Sequence, residues 1–401
     1  MRNPGQADDE LSLSVSSAGV TLEQRGIVFR FDAAGRLTRL YDGDHIYYRG
    51  LDNTLLEKWW TDTCTDRSSV RIRQSRHVET PRREYLLRTA YDTATYHLQP
   101  LLNERADDFQ PAEQESIRRV FQHSPETLQR EQQTVRSIYE PIGVLPPDQY
   151  KAIVLQSTIG CPYDCAFCTL YRDTELVVRS VADFKAHAIA VKSFFGRGLQ
   201  SRRSVFLGSA DPLAAPRKEL IGMMDVIARE FPKQRANGVS AFLTVQTATR
   251  SSPRKLELLS ANGLDRVYIG VESGAEEILE LLRKPQTPDE AKTGIERVKA
   301  AGLDVGIIVL AGVGGREISD RHFTRTSEFL GTLPLDEEDI VYVSPLVVDE
   351  TADYPERLRD RSLTPLSQLE ITTQAKRLHS RLAEQLAARV SRYHISEFTY
   401  F

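Results

Sequence analysis

Cysteine is scarce in this chain, four in 401 residues, and three of the four fall within eight positions at Cys161, Cys165 and Cys168. Three thiols that close together make no sensible disulfide framework, so the pattern fits a reducing compartment in which thiols serve as ligands. Long apolar runs are missing as well. No stretch of about 18 apolar residues occurs, and the first ten residues lack the apolar segment of a secretory signal. The chain therefore reads as cytoplasmic, with no membrane partner. Strong charge of either sign is also lacking. A formal net charge of −4 argues against a constitutive nucleic-acid or membrane-surface binder, although it leaves room for a local basic patch. With 40% hydrophobic and 27% charged residues, the composition is that of a globular protein with one large domain or a large plus a small one.

From about Lys151 onward, short β-rich runs alternate with helical patterns, as in βα units around a parallel sheet. The predicted strands are 152–156, 204–207, 241–246, 266–271, 305–310 and 340–343. Ser252-Pro253 supplies an N-cap and a first-turn proline, and Gly263 can end that helix in the left-handed conformation. Thr287-Pro288 and Gly302 frame the next helix in the same way. Six units around one concave face predict an α/β fold, a partial (β/α)6 TIM-like barrel over 150–348, with its chemistry at the C-terminal strand ends. Residues 1–149 read as an N-terminal accessory region, with a β-hairpin turning at Asp32-Ala33-Ala34-Gly35 followed by helices. Residues 349–401 read as a C-terminal extension whose long helix opens at Thr364-Pro365 and carries Ile371, Leu378, Leu386 and Val390 on one stripe.

The cysteine run Cys161-Pro162-Tyr163-Asp164-Cys165-Ala166-Phe167-Cys168 directly follows the first barrel strand. A [4Fe–4S] cubane takes four thiolates, one per iron, so three in a tight loop leave one iron open. A structural zinc is the competing ligand, but it needs a fourth donor, and the nearest histidine, His187, sits in a helical segment. Zinc would make the chain a non-catalytic structural protein.

The CxxxCxxC spacing with an aromatic before the last cysteine resembles the radical SAM superfamily, in which the open iron chelates S-adenosylmethionine (SAM). Later strand ends extend the resemblance over about 151–348. Gly208-Ser209-Ala210-Asp211 is similar to the family's Gly-Gly-Glu motif that holds the methionine ammonium, with Asp211 in place of the acid. Gly270-Val271-Glu272-Ser273 resembles the Gly-Val-Glu-Ser signature, although Ser273 through Glu276 also reads as a helix capping box. The fifth strand, with Ile308, is similar to the GxIxGxxE region that contacts adenine. The resemblance implies Cys161, Cys165 and Cys168 as cluster ligands. It further implies Phe167, Gly208, Ser209, Asp211, Gln246, Glu272, Ser273, Arg283 and Ile308 as candidate SAM contacts, with Arg283 toward the SAM carboxylate. Arg250, Tyr171 and Arg172 are candidates for the substrate side.

The implied function is reductive cleavage of SAM, with the electron coming from a flavodoxin- or ferredoxin-type donor. The resulting 5′-deoxyadenosyl radical abstracts hydrogen from a small polar, anionic metabolite such as a sugar, nucleotide or natural-product intermediate. An RNA- or protein-modifying member of the same superfamily is the alternative. Only Cys64 lies outside the loop, which leaves too few thiolates for a second cluster. Cys64 reads as a buried apolar residue or a candidate hydrogen donor. Arg67, Arg71, Arg73, Arg76, Arg82 and Arg83 form a basic stretch that could hold an anion.

Overall fold

The computed structural model of the chain describes residues 11–65, 68–172, 174–349 and 351–400, with side chains described outside 62–73 and 397. The chain divides into two compact units. One combines residues up to Glu140 with Ala190–Arg202 and the segment from Ser396; the other comprises Pro141–Ile189 and Arg203–Ile395. Three pieces of chain, rather than the N-terminal region alone, thus build the first unit.

In the first unit, seven antiparallel strands follow one another as a meander. They are β1 (Ser12–Ser16), β2 (Gly19–Gln24), β3 (Ile27–Asp32), β4 (Leu37–Asp42), β5 (His45–Arg49), β6 (Leu55–Thr65) and β7 (Ser68–His77). The hairpin at Asp32 is one turn of this larger sheet. The Asp32 carboxylate accepts from the backbone N–H of Ala34 and Arg36 at 2.8 and 3.0 Å. Gly35, at φ +83°, lies so close to the Arg119 carbonyl that a Cβ would approach it to 2.3 Å, so only glycine fits this corner. Alternation of apolar residues puts Leu22, Phe29, Phe31, Leu40 and Tyr47 in one core with Leu87, Ala90, Tyr91 and Leu98 of α1 (Thr80–Glu104), together with Ile117 of α2 (Pro111–Val120) and Leu128 of α3 (Pro125–Ile138).

The second unit is built on seven parallel strands: β8 (Ile153–Gln156), β11 (Val205–Gly208), β12 (Val239–Phe242), β13 (Leu264–Glu272), β14 (Asp304–Ala311), β15 (Ile340–Pro345) and β16 (Arg389–Arg392). Two short strands, β9 (Thr158–Ile159) and β10 (Val177–Val178), pair separately. The parallel strands lie side by side in chain order from β8 to β16. Successive βα crossovers of one hand produce such an order, curl the sheet and place the helices outside it. Among the described residues β8 and β16 do not pair, so the barrel is partial. The helices that follow these strands are α4 (Val181–Phe195), α5 (Arg217–Glu230), α6 (Pro232–Arg235), α7 (Val245–Arg250), α8 (Pro253–Ala261), α9 (Glu276–Leu281), α10 (Pro288–Ala300), α11 (Gly315–Leu330), α12 (Tyr354–Asp360) and α13 (Gln368–Gln385). Ser252 and Thr287 cap α8 and α10 by accepting from Lys255 N–H and Glu290 N–H.

Two elements differ from the sequence reading. The last helix starts at Gln368, where Ser367 and Glu370 form a capping box, and it stops at Gln385. Val390 consequently lies not on that helix but on β16, a seventh strand paired with β15. The third strand ends at Phe242, because Thr244 accepts from the N–H of Thr247 and starts α7.

The floor of the barrel is filled. Phe206 packs against Phe242 and Tyr268 at ring distances of 5.0 and 5.8 Å. Below them Asp148 accepts from the hydroxyls of Tyr268 and Tyr342. With its N-terminal end plugged in this way, the sheet is open for chemistry at the C-terminal strand ends.

A second buried knot lies behind those ends. His322 is fully buried, with its Nε2 2.9 Å from the Leu310 carbonyl and its Nδ1 2.9 Å from Ser273 Oγ. A carbonyl can only accept, so Nε2 carries the proton and Nδ1 accepts from Ser273. Burial lowers the pKa of His322 to about 4. Because the folded-state value lies below the ordinary value near 6.5, the unfolded chain binds the extra proton, and stability falls as pH drops from about 6.5 toward 4. His322→Leu, which removes the imidazole partner of the Leu310 carbonyl and leaves the Ser273 hydroxyl only Thr326 to bond besides Ala275 N–H, is expected to cost about 1–3 kcal/mol and to flatten that part of the pH–stability curve, as read by urea unfolding at pH 5 and 7.

Candidate active site

The cysteine loop leaves the sheet after β8. Its base is pinched by the β9–β10 pair, Thr158 opposite Val178 and Ile159 opposite Val177. Within the loop, Cys168 N–H donates to the Cys165 carbonyl at 3.0 Å, and Ala166 N–H donates to the Leu282 carbonyl at 2.8 Å. Tyr354 N–H in turn donates to the Ala166 carbonyl at 2.9 Å. All three thiols are half-buried and near enough to act electrostatically on one another. Burial raises the Cys161 pKa and pushes that of Cys165 up to about 11, so loading a metal centre here would expel protons. A structural zinc requires four ligands in a closed tetrahedral shell, one more than the three loop thiols supply. A cubane instead takes each thiolate on a different iron, and three separate thiols in one loop suit that demand.

The neighbouring strand end supplies a carboxylate. Asp211 is almost fully buried, and its Oδ2 accepts from the hydroxyls of Thr244 and Thr247, each at 2.5 Å. Its Oδ1 is buried without a hydrogen-bond partner. Burial raises the pKa of this carboxyl against the pull of the two threonines and of Lys255. An unpartnered buried carboxylate oxygen is costly, and an ammonium is the ligand that would satisfy it, so the chemistry of Asp211 fits the amino group of SAM. Gly208 ends β11 beside it, where a Cβ would come within 2.7 Å of Val154 Cγ1. Ser209 stands at φ +83° with its Oγ 3.1 Å from the Gly160 carbonyl.

At the end of β13 the strand pairing slips between Gly270 and Glu272, and Glu272 takes φ +63°. Such a bulge re-aims a side chain. The Glu272 carboxylate accepts from Lys284 Nζ at 2.9 Å. Ser209, Glu272 and Arg283 are all non-glycine residues at positive φ, a conformation costing about 1–3 kcal/mol each. Three of the six non-glycine residues at positive φ among the described residues thus lie on the strand ends and turn around the cysteines. On the next strand Ile308 is half-buried between neighbours that are fully buried, in register with Gly270 and Tyr342.

Other candidates sit differently from the sequence expectation. Gln246 and Arg250 belong to α7 rather than to a strand end. Gln246 has a buried, unpartnered Nε2, and Arg250 is exposed. Ser273 does not cap a helix through a capping box: the N-cap of α9 is Ala275, and the Ser273 hydroxyl bonds His322 while accepting from Ala275 N–H at 3.0 Å. Arg283 pairs with Asp164 at 3.3 Å and with Asp353, which also binds Arg172. Both arginines are thus engaged by protein carboxylates. Phe167 packs against the apolar cluster of Ile278, Leu282 and Tyr354. The Tyr171 phenol bonds Ser209 near Cys168 and Cys161, and burial holds its pKa well above the ordinary tyrosine value. In the first unit Arg76 pairs with Glu57, and Arg82 donates to Tyr47. Arg67 and the side chains of Cys64, Arg71 and Arg73 lie outside the described residues.

Sequence reasoning missed Lys284, Thr244 and Thr247. Only the Thr-x-x-Thr spacing around α7 hinted at the last two. A polar recess of about 700 Å³ opens at the opposite end of the strands, lined by Asp148, Arg203, Asp265, Arg266 and Asp304. None of the motif residues reaches it.

The Radical SAM superfamily description matches residues 155–330. The heme chaperone HemW of Bacillus subtilis (strain 168) is 23% identical over 203 residues, covering 50% of this chain and 51% of that protein. The chain therefore spans about half the length of this curated relative. Among solved structures, coproporphyrinogen III oxidase (HemN) from Escherichia coli aligns with a TM-score of 0.45 at 16% identity, over 63% of this chain and 55% of that one. The methyltransferase TsrM from Kitasatospora setae aligns with a TM-score of 0.45 at 10% identity, over 65% and 59%. The superfamily uses a [4Fe–4S] cluster and SAM. Over residues 155–330 this chain is thus similar to the radical SAM superfamily, with the subfamily unspecified.

Proposed function

We propose that this chain is a radical SAM enzyme with a single cluster held by Cys161, Cys165 and Cys168, working on a small anionic substrate. The observation that carries the proposal is the convergence of three thiols with the free, buried oxygen of Asp211 at the C-terminal ends of adjacent parallel strands. When bound, the cluster and SAM supply reductive cleavage of a sulfur–carbon bond and a 5′-deoxyadenosyl radical, chemistry that no side chain provides. The protein contributes position. Asp211 Oδ1 would accept from the methionine ammonium, with Thr244 and Thr247 fixing the carboxylate from behind. Ile308 and the Gly270 backbone would line the adenine side, and Glu272 would accept from ribose hydroxyls while Lys284 orients it. The barrel floor, sealed by Phe206, Phe242 and Tyr268, would keep water out from below. Arg250, exposed beside Tyr163, is the arginine left to meet an anionic substrate, since Arg172 is occupied by Asp353. The electron would come from an external flavodoxin- or ferredoxin-type donor. A reducing cytoplasm suits the three thiols, and among the described residues no helix is long and apolar enough to cross a membrane.

A second reading of the substrate keeps the negative charge and adds a large apolar body, as in a tetrapyrrole carboxylate. It is supported by the exposed Leu170, Val347 and Val348, which lie on the cysteine loop and just past the end of β15, and by a curated relative that is a heme chaperone. One experiment tests both readings. Reconstituted, dithionite-reduced protein is incubated with SAM and deuterated sugars, nucleotides or porphyrinogens, and deuterium in 5′-deoxyadenosine is read by mass spectrometry. Turnover with label from a sugar or nucleotide supports the first reading and label from a porphyrinogen the second. A colourless protein with stoichiometric zinc and no 5′-deoxyadenosine would overturn the enzyme proposal.

A further inference from the structure

Lys284 is aimed at the cysteine loop by the backbone rather than by its neighbours in sequence. The turn 282–284 is fastened to the loop at two points, Ala166 N–H to the Leu282 carbonyl at 2.8 Å and Arg283 to Asp164 at 3.3 Å. Arg283 takes φ +51°, which sends consecutive side chains to opposite sides. The Arg283 side chain is 39% exposed, that of Lys284 only 18%. The cavity that receives the lysine is made by a missing side chain. A Cβ on Gly270 would stand 3.0 Å from Lys284 Nζ and 2.4 Å from Glu272 Oε1, so a side chain there would press on both members of the ion pair. Burial alone would lower the lysine's pKa, but Glu272 and then Cys165 outweigh it and hold the ammonium charged. Its field reaches both Cys165 and Cys161.

We propose that Lys284 sets the reduction potential of the cluster held by Cys161, Cys165 and Cys168, raising it, with Glu272 as the opposing charge that limits the rise. The inference rests on the functional reading above. A one-electron reduction adds one negative charge to a centre already bound by thiolates. A cation held close in a poorly screened interior stabilises that added charge, and a nearby carboxylate destabilises it. The groups that act on these two thiols are the Tyr163 backbone N–H at Cys161 and Lys284, favouring reduction, and Glu272, Asp211 and the neighbouring cysteines, opposing it.

The test measures potential rather than turnover. Wild type, Lys284→Met, Glu272→Gln and the double variant are reconstituted anaerobically and their iron is counted. The midpoint potential is then read by EPR-monitored potentiometry with dithionite, without SAM. Lys284→Met is expected to shift the potential down and Glu272→Gln to shift it up, with the double variant between them. An unchanged or higher potential in an iron-loaded Lys284→Met overturns the proposal. If Lys284→Met holds no iron, Glu272→Gln decides alone, and a fall or no change there overturns the proposal as well. A wild-type chain that loads no iron defeats the functional reading, and this inference with it.

Discussion

Cys161→Ala is expected to abolish cluster loading and with it all 5′-deoxyadenosine formation, the largest effect of any single change in this chain. Wild-type protein should carry about four irons after anaerobic reconstitution, because a cubane distributes its ligands one per iron. With one of three loop thiols gone, two protein ligands remain. A half-buried loop whose amides and carbonyls are already bonded to Leu282 and Tyr354 cannot bend to offer another. Cys64→Ala is the control. Cys64 stands on β6 opposite Ser69, in the first unit, and its replacement should leave the iron count and the EPR signal of the reduced cluster intact. Iron and cleavage retained in Cys161→Ala would refute the ligand assignment.

Asp211→Asn should weaken SAM binding by about 10- to 100-fold while leaving the iron count unchanged, since a charge-assisted hydrogen bond is worth about 1.5–3 kcal/mol. The substitution keeps the shape and lets the side-chain oxygen still accept from Thr244 and Thr247. It replaces the free Oδ1 by an N–H₂ that faces the ligand's ammonium donor to donor. The pH dependence gives a second readout. Burial raises the pKa of Asp211, so on acidification its carboxyl takes up a proton earlier than an ordinary aspartate does, and affinity for SAM should fall across that range. Asp211→Asn should remove the pH dependence. Isothermal titration calorimetry at several pH values checks both, and unchanged affinity would place the methionine ammonium elsewhere.

How much of this site was legible in the sequence depends on the range of the forces that made it. The cysteine spacing is local, and so are the helix starts at Ser252 and Thr287, where a hydroxyl reaches a backbone N–H three residues on. These could be read directly. Strand positions were legible from their apolar runs to within a few residues, except where Thr244 began a helix inside the expected third strand. Ser273 was harder. Its sequence context suits a helix cap, yet the hydroxyl goes to His322, 49 residues away, a partner that no local pattern reveals.

The same division holds for charge. Arg283 and Lys284 are adjacent cations at the end of a helix, and of the two the sequence singled out only Arg283, toward the SAM carboxylate. With the left-handed turn at Arg283, the Arg283 side chain is 39% exposed and that of Lys284 18%. A single backbone angle, stabilised by contacts to the cysteine loop, decides which cation faces the thiols.

The sequence by itself determined the spacing of the three-cysteine loop, the repeating βα architecture and the end of the sheet at which that loop lies, because each follows from spacing and periodicity along the chain. Only the tertiary structure decided that Asp211 keeps one oxygen free, that Lys284 and not Arg283 points inward, and that a seventh strand follows the last helix. Those outcomes depend on which strands lie side by side and on backbone angles imposed by distant contacts. Proximity across a sheet carries no local signature in the residues it brings together.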